Sequence, residues 1–418
     1  MADLLHILPF AAMLIGIAVL PIVIPHLWEH PVAPGILAAV CAIPAVLDAA
    51  LTGHLAEVVE GLEEYVAFIA LIAALYITAG GIHISGNPRG TPLVNATLLA
   101  IGAVAASLIG TTGASMLLIR PLLDANRERK HKTHVVVFFI LIVSNTGGLL
   151  TPLGDPPLYL GYLNGVPFFF TLRLFPAWLL AQGILLTLFL LWDRRAIRRE
   201  SGADLLRDQI ERRDLKMDGA VNILLALAIV VVSAAGTPSP WREMLFAIII
   251  GVSLVVTPAR VRQANTFHYG PLREVALLFL GIFITMVPAL EALRHHAPGL
   301  PVDSTTGLFL LTGLLSSILD NAPTYLIFAN LAAERAGFGG DLALLAAGAP
   351  HLLAAVSVGA VFMGANTYIG NGPNLLVKAV AESAGSARVA MPNFVTYAAW
   401  ATVMLTPVYI AVILFVLA

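Results

Sequence analysis

The sequence contains SNTGGLLTPLGDPP at residues 144–157 and NTYIGNGPN at residues 366–374. Each stretch lies inside a long apolar run, where a membrane-spanning helix would be expected, and each interrupts that helix with Gly and Pro. A bilayer tolerates interrupted backbone only where protein or a water-filled cavity satisfies the freed polar groups. Matching interruptions in the two halves of a chain therefore indicate the binding site of a transporter.

The composition is that of an integral membrane protein. Of the 418 residues, 59% are hydrophobic and 11% are charged, whereas a soluble domain carries about 25% charged residues. The net charge of -2 gives no indication of nucleic-acid binding, and the single cysteine, Cys41, leaves no partner for a disulfide. The sequence has no phosphate-loop, G-x-S-x-G or H-E-x-x-H motif, so we expect neither ATP-driven transport nor an enzyme.

Apolar runs of about 20 residues predict membrane spans. The predicted spans are residues 4–25, 33–51, 64–84, 135–163, 169–192, 219–235, 241–257, 273–292, 350–383 and 393–417. Two further apolar regions, 91–124 and 303–335, carry GTTG and DNAP in their middles. We interpret these two regions as re-entrant helical hairpins with the polar residues at their tips.

An internal repeat relates the two halves. Residues 107–110 (SLIG) align with 317–320 (SILD) at an offset of 210, and residues 154–157 (GDPP) align with 370–373 (GNGP) at 216. Asn145-Thr146 also matches Asn366-Thr367, at an offset of 221. Five spans in each half would give the halves opposite orientations.

We therefore predict an all-α polytopic membrane protein built from two inverted repeats, each with five spans and one re-entrant hairpin. The repeats cover residues 1–192 and 219–418, a basic cytoplasmic linker covers 193–218, and the broken helices lie at the bilayer midplane. With both termini outside, the predicted cytoplasmic segments hold every Lys and Arg except Arg173, Arg242, Arg294 and Arg335. This distribution obeys the positive-inside rule. If the hairpins were full spans, the excess of Lys and Arg on the cytoplasmic side would be smaller in the first half.

The interruptions and hairpin tips offer oxygen atoms that could bind an ion. The candidate residues are Asn145, Thr146, Thr151 and Asp155 in the first broken helix, Asn366, Thr367, Asn371 and Asn374 in the second, and Thr111, Thr112, Asp320 and Asn321 at the tips. Half-helix N-termini favour anions and half-helix C-termini favour cations, so the site could hold either or both. Because hard cations prefer oxygen ligands, we expect a sodium site at Asn145, Thr146, Asp155, Asn366 and Thr367.

Two of these candidates, Asp155 and Asp320, are carboxylates deep in apolar sequence. An ionisable residue there costs roughly 2.5–3.5 kcal/mol on insertion scales, which makes it a functional candidate. An aspartate that exchanges a proton for a cation would couple the two fluxes. Alternatively, each aspartate simply caps the helix that follows it, since Asp155 precedes Pro156 and Asp320 lies at a hairpin tip.

The motifs resemble those of the ion transporter superfamily. The 144–157 stretch is similar to the Gly-Gly…Thr-Pro-x-Gly-Asp-Pro-Pro stretch of its arsenite permease and sodium/proton antiporter branches. The chain also resembles members of the superfamily that are described as citrate transporters. The DNAP tip resembles the Asn-Asp tip of arsenite permeases in reversed order. The tips differ from the Ser-Asn-Thr tips of divalent anion symporters, which argues against dicarboxylate transport. The resemblance implies inverted repeats, elevator-like motion, a midplane site and a homodimer in the cell (inner) membrane.

We expect a secondary active transporter that exchanges sodium, or another monovalent cation, for protons by alternating access. Its partners would be the bilayer and a small ion, with no cofactor beyond the coupling ions H+ and Na+. The alternative is a transporter of citrate or another carboxylate coupled to cations or protons, or an arsenite-type permease. Few deep Lys or Arg residues could neutralise citrate, although helix N-termini and amides can bind carboxylates.

The predicted orientation can be tested by cysteine accessibility in intact cells. On a Cys41-free background, Arg199→Cys should resist an impermeant thiol reagent added from outside, because residue 199 lies in the predicted cytoplasmic linker. A cysteine added at the C-terminus should react. Labelling at position 199 would reverse the orientation, and protection of the C-terminus would contradict the inverted ten-span arrangement.

Overall fold

The computed structural model describes residues 2–28, 30–296 and 304–417. The predicted start of the second hairpin, residue 303, lies outside the described residues. The first half contains nine α-helices and one strand. They are α1 (Ala2–Val23), α2 (Pro25–Trp28), α3 (Ala33–Thr52), α4 (Leu55–Ala79), β1 (His83–Asn87), α5 (Pro92–Ile109), α6 (Thr111–Ala125), α7 (Thr133–Ile142), α8 (Pro156–Leu163) and α9 (Phe175–Ile197).

The linker and the second half continue this helical pattern. They contain α10 (Gly202–Ile210), β2 (Arg213–Asp218), α11 (Val221–Ala234), α12 (Trp241–Val256), α13 (Ala259–Ala264), α14 (Gly270–His296), α15 (Thr305–Ser316), α16 (Asn321–Arg335), α17 (Leu342–Gly348), α18 (Pro350–Met363), α19 (Gly372–Ser383) and α20 (Phe394–Phe415). Short 3-10 segments at Thr146–Leu150 and Gly364–Asn366 occupy the two predicted interruptions.

The all-α polytopic membrane fold predicted from the sequence is confirmed. Among the described residues, six helical stretches are long and apolar enough to cross a membrane. A further span can be formed by α17 and α18, which meet at an angle of 114°. The opposite orientation of the two halves stays a prediction.

A short antiparallel ribbon was not predicted from the sequence. β1 pairs with β2, so that His83 lies opposite Asp218 and Asn87 opposite Arg213. The predicted span at 64–84 differs from α4 at both ends: the helix begins at Leu55 and ends at Ala79. The prediction from hydrophobicity omitted the first turns of α4 because they are rich in glutamate. It placed the end of the span too late because the residues after the helix are also mostly apolar.

The helices form two packed groups. α4 and α14 pack together, with the rings of Phe68 and Phe279 stacked 4.6 Å apart. α1 and α3 pack on α14, while α11 and α12 pack on α4; we call these six helices the scaffold. The hairpin bundle consists of the pairs α5–α6 and α15–α16, the interrupted pairs α7–α8 and α18–α19, and the flanking helices α9 and α20.

The same hydrogen bond fastens each interrupted helix to its hairpin. Thr151 Oγ1 donates to the Ser107 carbonyl, and Thr367 Oγ1 donates to the Ser317 carbonyl at 2.5 Å. Thr367 therefore corresponds structurally to Thr151 and not to Thr146, with which the residue-by-residue alignment paired it. The 3-10 segment is longer in the first interruption than in the second. An alignment that matches identical residues therefore pairs Thr367 with the wrong threonine of the first interruption.

A buried ionic cluster fixes the end of α9. Asp193, the first residue of the predicted linker, lies inside this helix and is fully buried. Its carboxylate forms an ion pair with Arg129, and His134 Nε2 lies 2.8 Å from Asp193 Oδ1. α9 thus extends into the region that the sequence assigned to the linker, and it is anchored to the segment that precedes α7.

Close backbone contact within the first interruption requires glycine. A Cβ atom at Gly154 would lie 2.0 Å from the Gly148 carbonyl oxygen. We expect Gly154→Ala to lower the thermal unfolding midpoint in detergent sharply or to prevent folding. Gly183→Ala is the matched control, because its Cβ would meet nothing within 4 Å and alanine stabilises a helix interior by roughly 0.5–1 kcal/mol. Equal midpoints for the two variants would contradict the close contact.

Candidate functional site

Asp155 occupies the N-cap position of α8, but its side chain does not cap that helix. It forms no hydrogen bond with the backbone of the first turn. The alternative that Asp155 serves only as a helix cap is therefore wrong. Two prolines at the start of α8 remove N–H groups that a cap would satisfy, which frees the carboxylate for longer-range contacts.

The Asp155 carboxylate joins four segments of the hairpin bundle. Its Oδ1 accepts from Thr111 Oγ1 at 2.9 Å and from Asn371 Nδ2 at 3.1 Å. Its Oδ2 accepts from Asn321 Nδ2 at 2.6 Å. The residue is 1% exposed, so both hairpin tips and both interruptions meet at one buried carboxylate. Hydrogen bonds to a charged acceptor are among the stronger ones in proteins.

Helix N-termini supply the electrostatic environment of this carboxylate. Thr111 and Asn321 begin α6 and α16, while Asp155 and Asn371 occupy the N-cap positions of α8 and α19. Each helix N-terminus carries roughly half a positive charge. Four of them together provide about two positive charges around Asp155. Among the described residues, no Lys or Arg side chain lines the adjacent cavity.

Asp320 has a different role from Asp155. Its Oδ1 accepts from the Ala322 backbone N–H at 3.2 Å, so the cap interpretation holds for this residue. The residue is half-buried and also lines the cavity beside Asp155. Asp320 thus adds a second negative charge while it fixes the start of α16.

A cavity of about 120 Å³ lies between the scaffold and the hairpin bundle. Its polar side is formed by Thr111, Thr112, Asp155, Asp320 and Asn371. The opposite wall is mostly apolar and includes residues of α4 and α14, among them Phe68, Leu75, Tyr76, Leu272, Val275 and Phe279. One water needs roughly 10–15 Å³ measured in this way, so the cavity has room for several waters or a small ligand.

Three asparagines hold the two interruptions against each other. Asn145 Nδ2 donates to Asn374 Oδ1 at 2.7 Å, and Asn371 Nδ2 lies 3.2 Å from Asn145 Oδ1. Asn374 Nδ2 donates in turn to the Thr367 carbonyl at 2.9 Å. These amides replace backbone partners that an unbroken helix would have supplied, as buried polar groups require.

The remaining predicted ligands are engaged within packed helices. Thr146 Oγ1 donates to the Leu141 carbonyl and accepts from Gln182. Asn366 bonds to Ser317 and Tyr409. Of the five residues predicted to bind sodium, Asp155 is the one whose side chain lines the cavity. Asn145 is held near Asp155 through Asn371, whose Nδ2 contacts oxygen atoms of both. The side chains of Thr146, Asn366 and Thr367 bond elsewhere.

Sequence reasoning gave no role to the residues that anchor the interruptions. Ser107 Oγ donates to the Gly147 carbonyl at 2.5 Å, and Ser317 Oγ donates to the Met363 carbonyl at 3.0 Å. Gln182 and Tyr409 add contacts from α9 and α20. The repeat alignment paired Ser107 with Ser317, and this match could have identified the two serines as equivalent anchors.

One buried oxygen beside Asp155 has no hydrogen-bond partner in the part of the chain that the structure describes. Because a carboxylate only accepts hydrogen bonds, the Asn321 nitrogen must face Asp155 and its Oδ1 must point away. No described residue donates to Asn321 Oδ1, although the residue is fully buried. An unsatisfied buried acceptor is costly, and this oxygen is suited to a cation or to a proton donor.

The family model described as "Putative citrate transport" matches residues 1–417. The chain belongs to this citrate transport family. It is a multi-pass membrane protein and, by family, a secondary transporter. The match agrees with the citrate-transporter branch of the predicted superfamily, and it favours the carboxylate alternative over sodium/proton exchange. No curated protein matches the chain significantly.

The contacts of Asp155 predict unequal roles for two neighbouring threonines. Thr111→Val should destabilise the protein by roughly 1.5–3 kcal/mol, since it removes a hydrogen bond to a charged group. Thr112→Val is the matched control, because no described residue bonds to the Thr112 hydroxyl in the structure. Unfolding by SDS titration measures both changes. Equal destabilisation would contradict the assignment of Thr111 as a ligand of Asp155.

Proposed function

We propose that this protein is a cation-coupled secondary transporter of citrate or a closely related carboxylate. The observation that carries the proposal is the convergence of four helix N-termini and two aspartates on one cavity. Family membership supports the carboxylate, and the geometry of the cavity supports the coupling.

The helix N-termini and amides suit the carboxylate groups of a substrate. Backbone N–H groups at a helix start bind anions, and broken membrane helices use this device for substrate carboxylates. Asn371 and Asn321 add side-chain amides at the same place. In the structure the amide nitrogens of Asn371 and Asn321 are directed at Asp155, which occupies the position of an anion.

The two aspartates require that positive charge enters with the substrate. The partial charges of the helix ends, about two positive units in total, are offset by Asp155 and Asp320. A free tricarboxylate would therefore meet no net attraction in the cavity. Binding of a cation or a proton near Asp155 and Asn321 Oδ1 would restore it, whether the cation enters alone or as a complex with citrate. The coupling ions are accordingly H+, Na+ or a divalent metal ion.

Alternating access would use the boundary between the scaffold and the hairpin bundle, where the cavity lies. Its polar wall belongs to the hairpin bundle, and most of its apolar wall belongs to the scaffold. An apolar wall forms few hydrogen bonds with the polar wall, so the two groups can slide past each other at low cost. This arrangement supports elevator-like motion of the bundle, as the superfamily resemblance implies.

Proteoliposomes loaded under defined gradients test the proposal. Labelled citrate should enter saturably, unlabelled citrate should compete, and uptake should require a gradient of H+, Na+ or Mg2+. If citrate and related carboxylates are not taken up while sodium alone drives proton flux, the protein is an antiporter and the proposal is wrong.

A pair of aspartate variants tests the coupling site. Asp155→Asn removes the charge and turns an amide nitrogen towards existing donors, so uptake per folded protein should fall at least about tenfold. Asp341→Asn makes the same change at an exposed N-cap, where Asp341 accepts from the Leu344 N–H at 3.0 Å. Because Asn caps as well as Asp, this control should transport normally. Wild-type uptake by Asp155→Asn would exclude Asp155 as the coupling residue.

A further inference from the structure

A second cavity lies away from the transport site, at the basic ends of the hairpin bundle. It has a volume of about 570 Å³ and is formed where α9, α20 and the segment before α7 meet. Its cationic residues are Lys130, Arg195 and Arg199, and its aromatic residues include Trp192 and Trp400. We call this cavity the basic groove. It belongs to the face that the distribution of Lys and Arg predicts to be cytoplasmic.

The two arginines of the basic groove are not paired with the nearest carboxylates that the structure describes. No Asp or Glu side chain among the described residues lines the groove. Asp193 faces inwards and pairs with Arg129 and His134. Glu200 accepts from the backbone N–H groups of residues 130 and 131.

Two arginines of the groove have no partner among the described residues. Neither the Arg195 nor the Arg199 guanidinium forms an ion pair or hydrogen bond with the part of the chain that the structure describes. Both side chains are exposed. Arg195 lies in the last turn of α9, Arg199 lies in the turn that follows this helix, and both line the groove. The pair therefore presents two guanidinium groups to the same volume.

The floor of the basic groove is apolar and continues onto the lipid-exposed faces of two helices. The rings of Trp192 and Trp400 lie 5.7 Å apart, and tryptophan is enriched where a protein crosses the membrane–water interface. Leu191 on α9 is 47% exposed and Val403 on α20 is 61% exposed. A ligand that suits this groove has an anionic head and an apolar body.

We propose that the basic groove binds the phosphate headgroup of an anionic phospholipid, with its acyl chains along α9 and α20. Guanidinium groups bind phosphate oxygens in a bidentate manner. Basic pockets between membrane helices on the cytoplasmic side are suited to acidic lipid headgroups. Free inorganic phosphate could bind the same guanidinium groups, but it has no apolar part to contact Trp192 and Trp400.

Native mass spectrometry of the delipidated full chain tests this site with defined lipids. Phosphatidylglycerol and phosphatidylcholine are titrated separately, and inorganic phosphate is added as a competitor. The double variant Arg195→Ala/Arg199→Ala should weaken binding of phosphatidylglycerol about tenfold or more. The matched control is Arg194→Ala/Arg198→Ala, which removes the same charge from the end of α9 and the turn after it, but from residues that do not line the groove. This control should bind phosphatidylglycerol like the wild type.

Each outcome of this titration decides the proposal. Selective loss in the Arg195/Arg199 variant, with little binding of phosphatidylcholine, supports a specific lipid site. Equal loss in both double variants means that the basic segment attracts lipid through its net charge alone, and the proposal is then wrong. Displacement of the lipid by millimolar phosphate would assign the groove to the free anion. Gel filtration should show both variants folded, since the substituted side chains are exposed.

Discussion

The hydrogen bonds of the Asp155 carboxylate are the interaction on which the hairpin bundle depends. Three donors from three other segments converge on its two oxygens. Without this acceptor, a hydroxyl and two amides would face each other in an apolar interior, and unsatisfied buried donors are costly. A single carboxylate therefore sets the relative position of both hairpin tips and both interruptions. The positive ends of four helices make its burial tolerable.

The two halves share a backbone arrangement but differ in charge at this point. Asn371 occupies in the second interruption the position that Asp155 occupies in the first, and both precede a helix from an extended N-cap. Two aspartates here would place like charges about 3 Å apart, and one of them would have to be protonated. Asp and Asn instead form a donor–acceptor pair at 3.1 Å. The difference in sequence turns a symmetric framework into a site with one defined charge.

The sequence predicted the elements of the site better than its connections. Gly and Pro clustered with Asn, Thr and Asp located both interruptions, because a bilayer tolerates broken backbone only where protein or water satisfies the freed polar groups. The hairpin tips were recognised in the same way, and Gly110 adopts φ +81° there, a conformation suited to glycine. Spacing could not show whether Asp155 caps its own helix or reaches across the bundle, since both roles place Asp before Pro. Nor could it predict the pairing of β1 with β2, because the two strands lie far apart in sequence.

The ribbon of β1 and β2 limits how far the hairpin bundle can travel. β1 follows α4 and β2 precedes α11, so the ribbon is connected to the scaffold at both ends. The first hairpin begins at Pro92, five residues after Asn87 at the end of β1. A fully extended chain spans at most about 3.3–3.6 Å per residue, so this connection of five residues can reach no more than roughly 18 Å. While the ribbon stays paired, the amplitude of any vertical displacement at the start of α5 is bounded by the length of this connection.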